Sequence, residues 1–495
     1  MIALLLVILP AVFASCIWIL KENKAAFTAL LGTLATLLLG VYTFCSFQQN
    51  ALSTDFVYRT AWMSRLGAYF YIKVDGINSI LVLLTVILLP FIVYSAFNKN
   101  IKNQKAYFSL MLLMQSALLG VFLAKDALLF YVFWELALIP IYLICLVYGA
   151  EGRQRITFKF FVYTLAGSLF MLLAILFLRL QNEGGTFSIY QFYKTGAALS
   201  PFHQLAVFIA FYLAFAIKIP IFPLHSWQAD TYVNAPTQGT MLLSGIMLKM
   251  GTFALIVWLI PIVPLGWEMA SKYVIIISIV SVLYGLFLAI AQHNFKRMLA
   301  YSSLGHVGLI AAGIFCWNLQ GVQGALFQML SHGITVVALF YVNDIIVEKT
   351  GTDEMYKLGG IRQQSKVFSV LFLIAMLGSI ALPFTNGFIG EFLLLHSVFQ
   401  YSYVLAALAA LTVIFSALYM LRAYQQMMHG ESNVLTEKFG AISTQQIIIL
   451  SGFAILIFFF GLFPNTILHV SEDTVKQLIE QVRVASSVVN THVNF

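Results

Sequence analysis

Long apolar runs follow one another along almost the whole chain, separated by short polar connections. A run of about 18 or more apolar residues crosses the hydrocarbon layer of a bilayer as an α-helix. Fourteen such segments are predicted, over 2–20, 25–47, 76–97, 106–123, 127–148, 158–180, 204–224, 236–260, 273–292, 298–316, 321–347, 367–399, 404–428 and 442–465. No soluble domain fits between them, because the longest connections are 48–75 and 181–203. The second of these reads as an interfacial loop, with Gly184 and Gly185 for turning and Phe187, Tyr190, Phe192 and Tyr193 suited to the membrane–water boundary. The first segment lacks a basic start and a small-residue cleavage site, so it reads as a retained helix. The predicted fold is an all-α, polytopic membrane protein with about fourteen transmembrane helices.

Two segments carry helix breakers beside a charge. In residues 214–227 (AFAIKIPIFPLHSW), Pro220 and Pro223 each remove a backbone donor just after Lys218. In residues 377–392 (LGSIALPFTNGFIGEF), Pro383, Asn386, Gly387 and Gly390 precede Glu391. Segment 367–399 would be roughly 50 Å long as one helix, well beyond a hydrocarbon core of about 30 Å. An unwound middle absorbs the excess, and it must face protein or water, since lipid cannot pair its backbone groups. The breaks fall in segments seven and twelve, five apart, as expected of two inverted five-helix repeats. Weak support comes from Phe158-Lys159 with Tyr163-Thr164 and Gly167, matched by Phe295-Lys296-Arg297 with Tyr301-Ser302 and Gly305. The expected organisation is three helices over 1–100, a first repeat over 101–262, a second over 263–430, and a last helix with a tail over 431–495.

Composition agrees with membrane residence. Hydrophobic residues make up 61% and charged residues 9%, against roughly 25% charged in soluble domains. If the N-terminus is outside, sixteen of the 27 Lys and Arg fall in inside loops and nine outside, with Lys218 and Lys249 within spans. This bias predicts both termini on the outer side. The net charge of +8 then follows from topology, and its spread over many short loops excludes a nucleic-acid surface. Cys16, Cys45, Cys145 and Cys316 are isolated and read as small apolar residues. No nucleotide, haem, flavin or metal motif is visible, so no cofactor is expected in this chain.

Four ionisable residues lie inside apolar segments: Glu135, Lys218, Lys249 and Glu391. A charge at mid-membrane costs about 2.5–3.5 kcal/mol on insertion scales, which a purely structural bundle has no reason to carry. Opposite charges that meet and separate can exchange a proton, because burial and pairing act oppositely on their proton affinities. Glu135 and Lys218 suit such a switching pair. Lys249 is central in its segment, with Ser244, Gly245 and Gly251 leaving room for water. His306 and His332 are near the centres of theirs and suit proton relay; the plainer reading of each is a hydrogen-bonded core residue. His225, in the Pro-rich stretch after Lys218, is a candidate for the inlet path from the inside, whereas Asp230 reads as helix-end chemistry. The common depth of these groups suggests a row parallel to the membrane.

At these residues the chain resembles the antiporter-like subunits of respiratory NADH:quinone oxidoreductase, complex I. The resemblance is carried by FWE at Glu135, FAIKIPIFPLHSW at Lys218, NAPTQGTMLLSGIMLK at Lys249, FKRMLAYSSLGHVG at His306, QMLSHG at His332 and LPFTNGFIGEF at Glu391, and it spans essentially all of 1–495. Within the family, Glu on the twelfth helix is typical of the M branch and Lys of the L and N branches. Glu391, and a chain ending at Phe495 without the long lateral helix of the L branch, favour M. The resemblance implies proton translocation coupled to quinone reduction in other subunits, through two half-channels joined by a polar row. It assigns Glu135 and Lys218 to the switch, Lys249, His306 and His332 to the row, and Glu391 to the exit. It implies L-like and N-like membrane-arm neighbours, a lipid bilayer and no nucleic acid as partners, in a bacterial inner membrane. Subunits of multisubunit cation/proton antiporters and of membrane hydrogenases share this core and are the alternative.

Overall fold

The computed structural model describes residues 1–51 and 53–493, without side-chain detail for 487–493. In chain order it contains α1 (Ile2–Ile19), α2 (Ala25–Gln49), strands β1 (Val57–Met63) and β2 (Ala68–Lys73), α3 (Asn78–Tyr94), α4 (Gln104–Leu123), α5 (Ala127–Tyr148), α6 (Arg153–Gln181) and α7 (Ile189–Ala197). There follow α8 (Pro201–Lys218), α9 (Gln228–Asn234), α10 (Thr237–Leu242), α11 (Leu248–Ala254), α12 (Pro264–Ile290), α13 (Phe295–Phe315) and α14 (Leu319–Thr350). The chain ends with α15 (Ile361–Gln364), α16 (Lys366–Ser379), α17 (Asn386–Tyr401), α18 (Tyr403–Met428), α19 (Thr444–Leu462) and α20 (Asn465–Val493).

Twelve helical spans among the described residues are long and apolar enough to cross a membrane, and α3 and α16 are shorter apolar helices. They coincide in order with the predicted segments. Their ends are set by local chemistry. Asp126 accepts from the backbone N–H of Leu128 and Leu129 at the start of α5, and Asn294 accepts from Arg297 N–H at the start of α13. Each satisfies donors that the first helical turn leaves unpaired. Gly351, with φ 75°, ends α14 in the left-handed conformation that glycine adopts without penalty.

Both predicted breaks are present, between α8 and α9 and between α16 and α17. Their backbone groups are largely paired within the protein. At the first, Phe222 N–H donates to Ser281 Oγ (3.2 Å) and Trp227 Nε1 donates to the Ile217 carbonyl (3.0 Å). At the second, Leu382 N–H donates to the Leu377 carbonyl and Thr385 N–H to that of Leu382. The eighth segment, predicted as one helix, also departs from regularity. Two π turns, Leu243–Met247 and Leu255–Leu259, flank α11.

Three connections differ from expectation. Residues 57–73 form an antiparallel hairpin, with Val57 opposite Lys73, so the fold is not purely helical. The connection 181–203 holds the short helix α7 instead of only a loop. The predicted tail is the 29-residue helix α20, whose visible pattern mixes apolar and charged residues and which packs on α12, α14 and α7. Helix length and amphipathic pattern below the threshold for a span explain why a search for apolar runs passes over both helices.

The inner layer consists of α10–α11, α13 and α14. Every residue in the apolar windows of Thr237–Leu259 and Leu319–Thr350 is buried, against 33% for Tyr403–Met428. Small residues allow close packing there. A Cβ on Gly285 of α12 would lie 2.7 Å from Gly305 N of α13. The ends of α3, α5, α12, α14 and α18 share one face with the starts of α4, α6, α13, α16 and α19; we call it the basic face after its Lys/Arg-rich connections. The hairpin, α7 and α20 lie on the opposite face.

Candidate functional site

Four of the predicted residues meet, three on the inner-layer helices and one on α17. Lys249 is fully buried on α11, and the π turn before it leaves the Ser244 carbonyl to accept from Lys249 Nζ at 2.6 Å. The same Nζ lies 2.9 Å from His332 Nδ1 on α14. His332 and His306 of α13 have ring centroids 5.8 Å apart. His306 Nδ1 lies 2.8 Å from Glu391 Oε1 on α17. That last contact is short but lacks the alignment of a hydrogen bond, since His306 Nδ1 has no hydrogen-bond partner. The sequence of groups is therefore Lys249, His332, His306, Glu391, drawn from four helices.

A small cavity of about 20 Å³ is lined by both histidines together with Ser302, Ser303, Gln328, Ser331 and Thr335 and the apolar Leu299, Val336 and Leu339. A site needs roughly 10–15 Å³ and two to four polar partners to hold one water. Ser303 Oγ, Gln328 Oε1 and His332 Nε2 are buried there without partners, so the cavity has both the size and the chemistry for a bridging water.

Glu135 and Lys218 sit apart from this cluster. Glu135 is half-buried on α5, and the flanking Val132, Leu136 and Ile139 are exposed. Lys218, the last residue of α8, is buried with no hydrogen-bond partner for Nζ. The two are near enough for their charges to interact, but they do not form a contact ion pair. Lys218 Nζ lies 5.5 Å from the Trp134 ring centroid, a cation–π distance. The predicted pair is thus open, with an aromatic face holding the ammonium. His225 is half-buried and stacks on Phe222 and against Tyr284, outside the row. Asp230 pairs with Arg297 at 3.1 Å, in keeping with a helix-end role.

Sequence reading missed several polar neighbours. Gln328 Nε2 donates to Glu391 Oε1 (3.3 Å); it is one turn from His332 on the same face, a spacing that exposes it to discovery. Asn386 Nδ2 donates to the Ser331 carbonyl (3.4 Å), joining the second break to the His332 helix. Trp134 had no signal beyond its place beside Glu135.

The transmembrane family model for NADH:quinone oxidoreductase and Mrp antiporters matches residues 124–418. The NADH-quinone oxidoreductase subunit M of Rickettsia conorii is 37% identical over 460 residues, covering 93% of each chain. The F(420)H(2) dehydrogenase subunit M of Methanosarcina mazei is 34% identical over 483 residues, covering 94% of this chain and 96% of that one. A chain of respiratory complex I from Thermus thermophilus superposes with a TM-score of 0.87 at 32% identity, covering 97% of this chain and all of that chain. Together with the multi-pass fold and the buried Lys–His–His–Glu row, these matches establish that the chain belongs to the NADH-quinone oxidoreductase subunit M family of antiporter-like membrane proteins.

Proposed function

We propose that this chain is a proton-translocating membrane subunit of an NADH:quinone oxidoreductase in a bacterial inner membrane, with both termini on the outer side and fourteen transmembrane crossings in two inverted five-helix repeats. The observation that carries the reading is the buried row from Lys249 through His332 and His306 to Glu391. Neighbouring groups lie 2.8–2.9 Å apart at its two ends, with a water-sized cavity lined by both histidines. Titratable side chains at hydrogen-bond distance, or one water apart, are placed to pass a proton, and a protein with no proton to move gains nothing from burying them.

In this reading a proton taken up on the basic side reaches Lys249, passes to His332 and His306, and leaves by way of Glu391. The open Glu135–Lys218 pair is the switch. Closing it brings a carboxylate to the Lys218 ammonium and stabilises both charges; opening it favours release of the Lys218 proton. The exposed Val132, Leu136 and Ile139 beside Glu135 form an apolar surface that suits lipid or a neighbouring chain, as in a membrane arm with L-like and N-like subunits. The chain contributes no redox cofactor; electron transfer belongs to other subunits, and the electron donor is set there, as the F(420)H(2) dehydrogenase relative illustrates.

The test is the ratio of protons moved to NADH oxidised in membrane vesicles carrying Glu135→Ala or Lys218→Ala. The complex is expected to assemble and reduce quinone with a lowered ratio. A wild-type ratio in both variants removes the switch from the mechanism.

A further inference from the structure

Away from the row, a groove opens on the side of the molecule at the basic face. Lys105 Nζ donates to the Trp18 carbonyl (3.2 Å) and Gln104 N–H donates to Glu22 Oε1 (3.0 Å), which brings the end of α1 beside the start of α4. Helix α4 packs against both α1 and α5, and the three leave a cavity of about 650 Å³. Leu110 and Leu113 of α4 and Leu143 and Val147 of α5 are its apolar walls. Leu113, Val147 and Trp18 are exposed, so the groove opens toward the bilayer. From Gln104 to Leu113 the wall runs roughly 14 Å at 1.5 Å per residue, about the depth of one leaflet in a hydrocarbon core of about 30 Å.

The polar groups along this groove are paired within the protein, except at its mouth. Ser109 Oγ donates to the Ala14 carbonyl (3.0 Å) and Tyr148 OH to that of Asn103 (3.2 Å), so the walls present hydrocarbon. Arg153 Nε donates to the Leu146 carbonyl (2.9 Å) and Nη1 to that of Gly149 (3.2 Å). These bonds fix the guanidinium at the end of α5 and leave Nη2 to donate elsewhere. Lys102, exposed at the same mouth, has no hydrogen-bond or ion-pair partner among the described residues. In the connections and helix ends that meet there, Lys21, Lys24, Lys102, Lys105 and Arg153 outnumber Glu22 and Glu151. A basic mouth over apolar walls between membrane helices matches a lipid with an anionic headgroup. Trp18 adds the amphipathic ring that sits at headgroup level.

We propose that the groove between α1, α4 and α5 is a binding site for one anionic phospholipid of the leaflet at the basic face. Its phosphate lies against the Lys102 ammonium and Arg153 Nη2, and one acyl chain lies along Leu110, Leu113, Leu143 and Val147. The walls supply shape more than energy, since an acyl chain is in apolar surroundings either way. Selectivity therefore rests on the mouth. A headgroup of net negative charge meets the cations there without opposition, whereas a zwitterionic one brings its own ammonium beside them. Because Arg153 also pairs carbonyls at the end of α5, the bound phosphate is tied to the helix that carries Glu135.

The site requires a bilayer and is independent of proton transfer. To test it, the assembled complex in phosphatidylcholine nanodiscs is offered phosphatidylglycerol or phosphatidylcholine bearing a photoreactive diazirine midway along one acyl chain, and the cross-linked peptides are mapped. Phosphatidylglycerol is expected to label the α4 and α5 segments that line the groove in preference to phosphatidylcholine. That preference should fall roughly fivefold in Lys102→Gln and again in Arg153→Gln, the worth of one Lys or Arg beside an anionic surface. Lys102→Gln breaks no bond within the protein, so it decides the matter even if Arg153→Gln loosens the end of α5; Lys102→Arg should keep the preference. Equal labelling by the two probes, or an unchanged preference in Lys102→Gln, reduces the groove to ordinary boundary lipid and overturns the site. No labelling of the groove by either probe means that a neighbouring chain covers it, and overturns the site as well.

Discussion

His332 is the hinge of the row, and His332→Asn tests it most directly. Lys249 Nζ is 2.9 Å from His332 Nδ1, and the next titratable ring, His306, has its centroid 5.8 Å beyond. An asparagine carbonyl can still accept a hydrogen bond from Lys249 but cannot take up and release a proton near neutral pH. Proton transfer works over about 2.6–3.2 Å or through one water, so the path from Lys249 to His306 is interrupted. Loss of one positioned acid–base group slows proton transfer by about 10²–10⁴-fold, or roughly 3–5 kcal/mol at 1.36 kcal/mol per decade. The structural penalty is smaller, about 1–3 kcal/mol even if the Lys249 partner is lost outright. The variant should therefore assemble and oxidise NADH while acidifying vesicles less per electron. His332→Leu, which removes the hydrogen bond as well, separates the two effects: it should pump no better and assemble less well. Wild-type proton-to-electron stoichiometry in His332→Asn, measured in inverted vesicles with a pH-sensitive dye, would refute the relay.

Two further outcomes follow from other contacts. At Glu391, whose Oε1 faces His306 at 2.8 Å and accepts from Gln328, aspartate should retain part of the pumping activity and alanine none; equal pumping by both in the vesicle assay would deny the site a titrating role. Near the hairpin, burial alone would raise the Asp75 carboxyl, but the Lys125 ammonium at 2.6 Å and the N–H groups of Asn78 and Ile77 hold it below its usual value. A depressed carboxyl contributes stability that is complete above its unfolded value of about 3.9 and is lost as pH falls through the lower folded value. Hydrogen exchange at Ile77 and Asn78 should accordingly stay slow from neutral pH down to about pH 5 and rise in Asp75→Asn at neutral pH. Early loss of protection in the unmodified protein near pH 6 would contradict a carboxyl held below its usual value.

The apolar segments, the two breaks and the ionisable residues set inside apolar runs were legible in the chain, because each is a violation or a repetition that the residue pattern records. A charge inside an apolar run stands out at Lys249, and proline beside Lys218 stands out in the same way. Family motifs at these positions suggested which groups act together; the order of the two histidines came from the structure. The hairpin, α7 and α20 were not legible to a search tuned to long apolar runs, since half-polar elements at the membrane surface carry no such run.

What only the tertiary structure decided is rotation, neighbourhood and depth. A leucine facing lipid and a leucine facing another helix are in equally apolar surroundings, so hydrophobicity does not say that α10–α11, α13 and α14 form the inner layer while α18 exposes much of its surface. Nor does it say that Lys249 meets His332 while Lys218 faces Trp134 and stands apart from Glu135. The π turns beside α11 leave no mark of their own in the residue pattern. The sequence determined which groups are buried in the membrane and where the helices must break; the packing of one apolar surface on another, to which the bilayer is indifferent, decided which of those groups touch.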